Sequence, residues 1–296
     1  MTDVLGICES WEGGIVTVRR EDGSVVEIAT AEIVSGKPVP PRPSLYRRLD
    51  DAQADRLALP GWQPVESEPL GEWLLRASGG FSSRGNSVLA LGDPGMPVSE
   101  AVAQVVRWYA ARSLPARAHV HPDGPEADAF TEAGWSAYDP TLLLLASVGK
   151  VIRRLGPHTG AEPRHDSIID EAWLATDDRA AKYGESARAV MESGETTFAT
   201  VRDDRGAVLA RGRGAFHGDW IGLSALWTDP AHRGTGLSSA VLQSLVSWGA
   251  ERGATTTYLQ VVESNEHARR IYEALGFEVH HRYAYLVDEA GAAAQP

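Results

Sequence analysis

Short runs in which polar and apolar positions alternate with a period of two open the chain: Val4-Leu-Gly-Ile7, Gly14-Ile-Val-Thr-Val-Arg19 and Val25-Val-Glu-Ile28. That period predicts strands, and Asp22-Gly23 between the second and third predicts a hairpin turn. Three strands bury too little surface to fold unaided, so residues 1–43 read as a small β module that ends in an extended polyproline linker, GKPVPPRP at 36–43. Further along, the period lengthens and alternates between types. An apolar run at 221–227 predicts a buried strand, 239–252 an amphipathic helix, 256–262 a second strand, and 266–275 a second helix stopped by Gly276. Strands alternating with helices predict an α/β fold around a mixed sheet.

The order strand, loop, helix, strand, helix, strand occurs twice. Phe130-Thr-Glu-Ala-Gly-Trp135 followed by an apolar run is answered by Tyr272-Glu-Ala-Leu-Gly-Phe277 followed by another, about 140 residues later. Trp108 to Arg112 is answered by Trp248 to Arg252, and Asp93-Pro94 by Asp229-Pro230. Near-constant separations predict one fold used twice, at 44–150 and at 151–288, with a frayed tail at 289–296.

The loop Asp229-Pro-Ala-His-Arg-Gly-Thr-Gly-Leu-Ser238 carries the most chemistry. Gly234 and Gly236 let backbone N–H groups converge, and the following helix offers its positive end to an anion. Neither Gly-x-Gly-x-x-Gly nor Gly-x4-Gly-Lys-Ser/Thr is present, which excludes the two common nucleotide loops. In the first copy the matching segment, Gly95-Met-Pro-Val-Ser-Glu100, has a proline without an N–H and a carboxylate that repels phosphate, so anion binding is expected in the second copy alone.

Composition narrows the partners. A formal net charge of −12 argues against nucleic acid and suits a cationic acceptor. The single cysteine, Cys8, leaves no intramolecular disulfide or thiolate zinc site and fits a reducing cytoplasm. No signal peptide is evident, and no apolar run approaches the ~20 residues of a membrane span. His119-x-His121 sets two rings on one strand face without a carboxylate or thiolate at ligand spacing, so a surface pair and no metal site are expected.

The unit formed by Arg233, Gly236 and Ser238 and by Asn265 followed by Tyr272-Glu-x-Leu-Gly-Phe277 resembles the GNAT superfamily of acyl-CoA-dependent N-acyltransferases. Ser238 departs from the usual glycine or alanine but is still small. The front β module resembles the SH3-like modules of some actinobacterial tandem GNAT proteins. The resemblance implies a sheet that splays between two strands of the second copy and receives the pantetheine arm of acetyl-CoA. It implies backbone contacts at Leu226, Trp227 and Thr228, and a pyrophosphate loop at Arg233, Gly234, Thr235, Gly236, Leu237 and Ser238, with Arg269 and Arg270 nearby. Asn265 is implied as a pantetheine contact or as the helix N-cap, or both. Tyr272 is either the acid that protonates the departing thiolate or a core aromatic. Relatives place a glutamate base where this chain has Gly222 and Gln260. Glu263 and then His281 are the expected substitutes, with His217, Asp219, His280 or a water chain as alternatives. The activity implied is acetyl-CoA-dependent N-acetylation of a primary amine by direct attack. A CoA-binding regulatory or scaffold protein without turnover and a mycothiol-synthase-like small-molecule acetyltransferase are the alternatives.

Overall fold

The computed structural model describes residues 4, 6–20, 24–36, 45–156 and 160–288. It divides into two compact units, Met1–Pro43 and Ser44–Pro296. The first is an antiparallel meander of β1 (Ile7–Glu12), β2 (Ile15–Arg19) and β3 (Val25–Ala29). Its first strand starts at Ile7, not at Val4 as expected. Gly13 and Gly14, both at positive φ, form a two-residue turn that pairs Glu12 with Ile15 and so draws residues 7–12 into the sheet. Asp22 and Gly23 themselves, residues 37–43 of the linker, and the 289–296 tail lie outside the described residues. Val16 and Val18 are the buried apolar residues of this sheet.

The second unit is built on a mixed sheet of eleven strands. In chain order its elements are α1 (Asp51–Ala58), β4 (Glu66–Leu70), β5 (Trp73–Ala77), β6 (Val88–Leu89), α2 (Val98–Ala110), β7 (Arg117–Val120), α3 (Pro125–Glu132), β8 (Trp135–Ser147) and α4 (Val148–Leu155). They continue with β9 (Arg164–Asp166), α5 (Glu171–Leu174), α6 (Asp178–Met191), β10 (Glu195–Arg202), β11 (Val208–His217), β12 (Trp220–Thr228), α7 (Leu237–Glu251), β13 (Thr256–Val262), α8 (Glu266–Ala274) and β14 (Glu278–Asp288). The expected helix at 239–252 starts two residues early, because Gly236 in the left-handed region caps it.

Strand order is β4-β5-β6-β7-β14-β8-β13-β12-β11-β10-β9. The repeat is visible in this order: β6 and β7 are parallel, as are β12 and β13, with α2 and α7 as the respective crossovers. The last strands are exchanged. β8, from the first repeat, lies against β13 of the second, while β14, from the second, lies against β7 of the first. The two exchanged strands pair with each other along nearly their whole length.

Alternation along β8 sorts the core to two faces. Leu142, Leu144 and Ala146 face α7 with Ile221, Leu223, Leu259 and Val261, against Leu242, Leu245 and Val246. Leu143 and Leu145 face the other way with Trp220 and Tyr258, against Tyr46, Ala54 and Ala58 of the α1 region. Burying each such side chain contributes about 1.5–3 kcal/mol, which fixes the register of the strands that carry the site.

Candidate active site

β12 and β13 pair only as far as Leu223 with Leu259; beyond this point β12 runs on to Thr228 and β13 to Val262, each paired with its outer neighbour but not with the other. The cause lies on the opposite edge of β12. Ala225 and Leu226 stand together opposite Gly212 of β11, a β-bulge with Ala225 at φ +52°. Gly212 has no side chain because a Cβ there would lie 2.6 Å from Leu226 Cδ2 and 2.9 Å from Leu245 Cδ1. Arg211, 2% exposed, donates to the Ala225 carbonyl, lies over the Trp173 ring and bonds Thr176. Burial pulls its pKa down to about 10, which leaves it charged at neutral pH. The sequence pattern gave no sign of this buried guanidinium.

The loop after β12 ends in α7 as the glycine spacing predicts. Asp229 accepts from the Ala231 amide at 2.7 Å and Thr235 Oγ1 donates to the His232 carbonyl at 2.6 Å, so the start of the loop is rigid. Gly234 and Gly236 have φ of +76° and +87°, and a Cβ on either would meet nothing within 4 Å. Among the described residues no group accepts from the amides of Gly234, Thr235 or Gly236. The first turn of α7 adds the amides of Leu237 and Ser238, and carries no acidic side chain. In the first repeat the matching helix α2 follows Pro97, has Glu100 in its first turn, and the Gly95 amide is already held by Asp93 at 2.8 Å.

Leu226 is half buried against the α7 core, and Trp227 and Thr228 are likewise half exposed at the end of the splayed strand. At the far side of the splay, Asn265 caps α8 through a bond from the Ala268 amide at 3.1 Å, so the capping reading holds. Arg269 is turned to the Glu263 carbonyl at 3.3 Å and Arg270 to the Glu266 carbonyl at 3.3 Å. Tyr272 packs edge-on against Phe277, with centroids 5.8 Å apart, at the margin of the α7-side core. Its hydroxyl has no hydrogen-bond partner among the described residues, and burial pushes its pKa up.

Gly222 cannot carry a side chain, since a Cβ there would lie 2.5 Å from the Tyr258 ring. Gln260, cross-strand to Leu143, stands just past the last paired residue with its Oε1 buried and without a partner. Glu263, 40% exposed at its side chain, is paired with Arg282 of β14 at 3.0 Å. His217 is bonded to the Tyr258 hydroxyl at 3.2 Å, and burial lowers its pKa to about 4. Asp219 accepts from Thr255 at 2.7 Å.

His281 belongs to a different assembly. Its Nε2 lies 3.1 Å from Asp55 Oδ2, an oxygen that His119 Nε2 and His121 Nε2 also approach, at 3.2 and 2.8 Å. A bulge between Val279 and His281 breaks the alternation expected there, so His280 and His281 contact each other through their Nδ1 atoms at 2.8 Å instead of facing opposite ways. The expectation of a surface pair at His119 and His121 is corrected. His119 is 2% exposed, stacked on Tyr283 of the neighbouring β14 and met by Asp55 of α1. The missing carboxylate comes from α1, 64 residues earlier than His119, where no local spacing could reveal it. Burial alone would raise the Asp55 pKa, but the His119 charge and the bonds from all three rings hold it well below the carboxylate range. Burial lowers His119 to about 4, whereas for His121 the bond and charge of Asp55 outweigh burial and raise it. A cleft of about 400 Å³, lined by Asp51, His121, Asp123, His280, His281 and Arg282, opens beside the cluster.

Residues 44–286 match the family described as "Probable histone acetyltransferase Rv0428c C-terminal". The chain belongs to this family. It is thus an N-acetyltransferase of the GNAT superfamily, and its relatives agree. It is 27% identical to "Probable histone acetyltransferase Rv0428c" of Mycobacterium tuberculosis over 92% of this chain and 84% of that one. It is 24% identical to "Uncharacterized N-acetyltransferase YobR" of Bacillus subtilis over 81% of this chain and 99% of that one. Among solved structures, a GCN5-related N-acetyltransferase from Kribbella flavida shares the fold with TM-score 0.55 and 19% identity, over 85% of this chain and 98% of that one. A tandem GNAT protein from the clavulanic acid biosynthesis pathway shares it with TM-score 0.53 and 16% identity, over 74% and 78%. These likenesses agree with a GNAT fold used twice. Among the described residues of this acetyltransferase, no helix is long and apolar enough to cross a membrane.

Proposed function

We propose that this chain transfers the acetyl group of acetyl-CoA directly to a primary amine of a small molecule, peptide or protein, using the repeat at 151–288. The repeat at 44–150 serves as its acceptor-side partner. One observation carries the reading: the stretch where β12 and β13 no longer pair with each other ends beside a rigid loop in which the amides of Gly234, Thr235 and Gly236 are unclaimed. An extended pantetheine arm needs the first and a pyrophosphate needs the second. Leu226, Trp227 and Thr228 offer backbone to the arm. Arg233, Gly234, Thr235, Gly236, Leu237 and Ser238 enclose the phosphates, and the side-chain Nδ2 of Asn265 is left over from capping.

In the reaction the neutral amine attacks the thioester carbon, the C–N bond forms, and the C–S bond breaks as the carbonyl reforms. The thiolate takes the proton of Tyr272, whose raised pKa keeps that proton in place until the sulfur needs it. The proton lost by the attacking nitrogen goes to Glu263, which stays accessible at the end of β13. His281 has both ring nitrogens engaged, which favours Glu263 over it. The net charge of −12 suits a cationic acceptor, and the word histone in the family's description keeps protein lysine among the candidates. Titration calorimetry with CoA, followed by thiol release with a panel of amines and peptides, tests the proposal. Gly236→Glu puts charge and bulk among the loop amides and is expected to abolish CoA binding. Retained affinity would refute the cofactor site, and binding without turnover across the panel would refute the transfer reaction.

A further inference from the structure

We infer that Asp55, His121 and His281 form a site for one divalent first-row transition ion of the zinc class, apart from the CoA loop and opening to the cleft beside Asp51 and Asp123. The ligand atoms are Asp55 Oδ2 and the two Nε2 atoms, all within 4.8 Å of one another. The oxygen stands 2.8 Å from His121 Nε2 and 3.1 Å from His281 Nε2. Ions of this class hold N and O ligands at about 2.0–2.2 Å, so ligands separated by about 90–110° lie about 2.8–3.6 Å apart, a range that takes in both distances. Two imidazoles and one carboxylate on one side leave coordination positions free toward the cleft.

A count of hydrogens supports the ion independently. The line runs from Asp55 Oδ2 to His281 Nε2, from His281 Nδ1 to His280 Nδ1 at 2.8 Å, and from His280 Nε2 to the Leu49 carbonyl at 3.2 Å. It ends on an acceptor at both sides. Its three contacts need three N–H groups, and two neutral imidazoles own two. An ion on His281 Nε2 takes the place of the first hydrogen. His281 then donates from Nδ1 to His280, which donates from Nε2 to Leu49, and every contact is filled by neutral rings. This is the usual arrangement of a ligating histidine whose other N–H is held by an outer partner. His119 completes the outer set. Its Nδ1 is buried without a partner, so its hydrogen belongs on Nε2, where it donates to the ligating oxygen of Asp55 at 3.2 Å. The ion would join α1 to β7 and β14, where the exchanged strand of the second repeat enters the first.

The test uses the full chain, free of any affinity tag and dialysed against chelator. Titration with Zn²⁺ by calorimetry is expected to give one site per chain, and Co²⁺ is expected to give visible d–d bands that Zn²⁺ displaces. His121→Ala, at a ring on the cleft wall, is expected to remove both signals while circular dichroism stays native. His119→Gln is expected to weaken binding about 10- to 100-fold. His165→Asn, on β9, should leave binding unchanged. The inference is overturned if the wild-type chain binds neither ion, or binds both as well after loss of His121. The cluster would then be the alternative that the same count allows, a hydrogen-bonded group in which His280 and His281 share one extra proton.

Discussion

Replacing Gly222 with alanine tests whether β12 has room for a side chain at the position where the GNAT resemblance implies a glutamate. Added to Gly222, a Cβ would stand 2.5 Å from both Cζ and the hydroxyl oxygen of Tyr258 and 2.9 Å from Cε1. That is about 1 Å inside ordinary contact. The ring has no room to retreat. It is 5% exposed, its hydroxyl donates to the Ala58 carbonyl at 2.9 Å, and the same oxygen is pressed on Gly61, where a Cβ would come within 1.9 Å. Overpacking of this kind costs about 1–3 kcal/mol. If the ring gives way, the hydroxyl loses a buried bond whose net contribution is about 0.5–1.5 kcal/mol. Against this, alanine restricts the unfolded chain and returns about 0.4–1 kcal/mol, since Gly222 is not at positive φ. A net loss of about 0.5–4 kcal/mol is therefore expected in urea unfolding of Gly222→Ala. In a Tyr258→Leu background the same substitution should be neutral or slightly stabilising, giving a coupling of about 0.5–3 kcal/mol. Additive losses, or a neutral Gly222→Ala, would show that the ring does not exclude a side chain here.

Tyr272→Phe should lower turnover with little change in acetyl-CoA affinity, measured by thiol release and by calorimetry; an unchanged rate would remove Tyr272 from the acid role. Arg211→Met leaves the Ala225 carbonyl unheld, and loss of such a charge-assisted bond costs about 1.5–3 kcal/mol. The expected result is lower stability and at least tenfold weaker acetyl-CoA binding as the bulge relaxes, and stability loss with unchanged affinity would contradict the bulge argument. His217 titrates in the fold near 4, below its unfolded value, so acid favours the unfolded chain. Its contribution is constant above the ordinary histidine range and falls as pH drops from there towards 4, by at most about 1.4 kcal/mol per unit. Urea midpoints at pH 8, 6 and 5 should fall less steeply for His217→Gln than for the wild type, and parallel curves would refute the assignment.

What could be read from the sequence was local. The glycine loop, the helix that follows it, the stop at Gly276 and the repeated element order each depend on residues close together in the chain, and periodicity or backbone freedom exposes them. The strand ends were less legible, because Gly13-Gly14 and the αL cap at Gly236 moved boundaries by a few residues. The β12 bulge was hidden for a different reason: it depends on Arg211 and Gly212 of the neighbouring strand. The Asp55 cluster was more hidden still. It draws Asp55 from α1, His119 and His121 from β7 and the residue just past its end, and His281 from β14, and an aspartate in a helix has no signature that separates it from a solvated one. The misread pair His119 and His121 shows the same limit, since the spacing fixed their shared face but not whether that face was covered.

The exchange of β8 and β14 has a consequence for the birth of the molecule. β7 ends at Val120, yet its partner β14 begins only at Glu278, after almost the whole of the second repeat has been made. Until then the first repeat carries an open edge, and the sheet cannot be completed in the order of synthesis. Such distant pairings slow folding and prolong exposure of unpaired strands. A chain interrupted anywhere between the repeats therefore yields no finished half, and the demand for folding helpers should last until β14 has emerged, not end once the first repeat has been made.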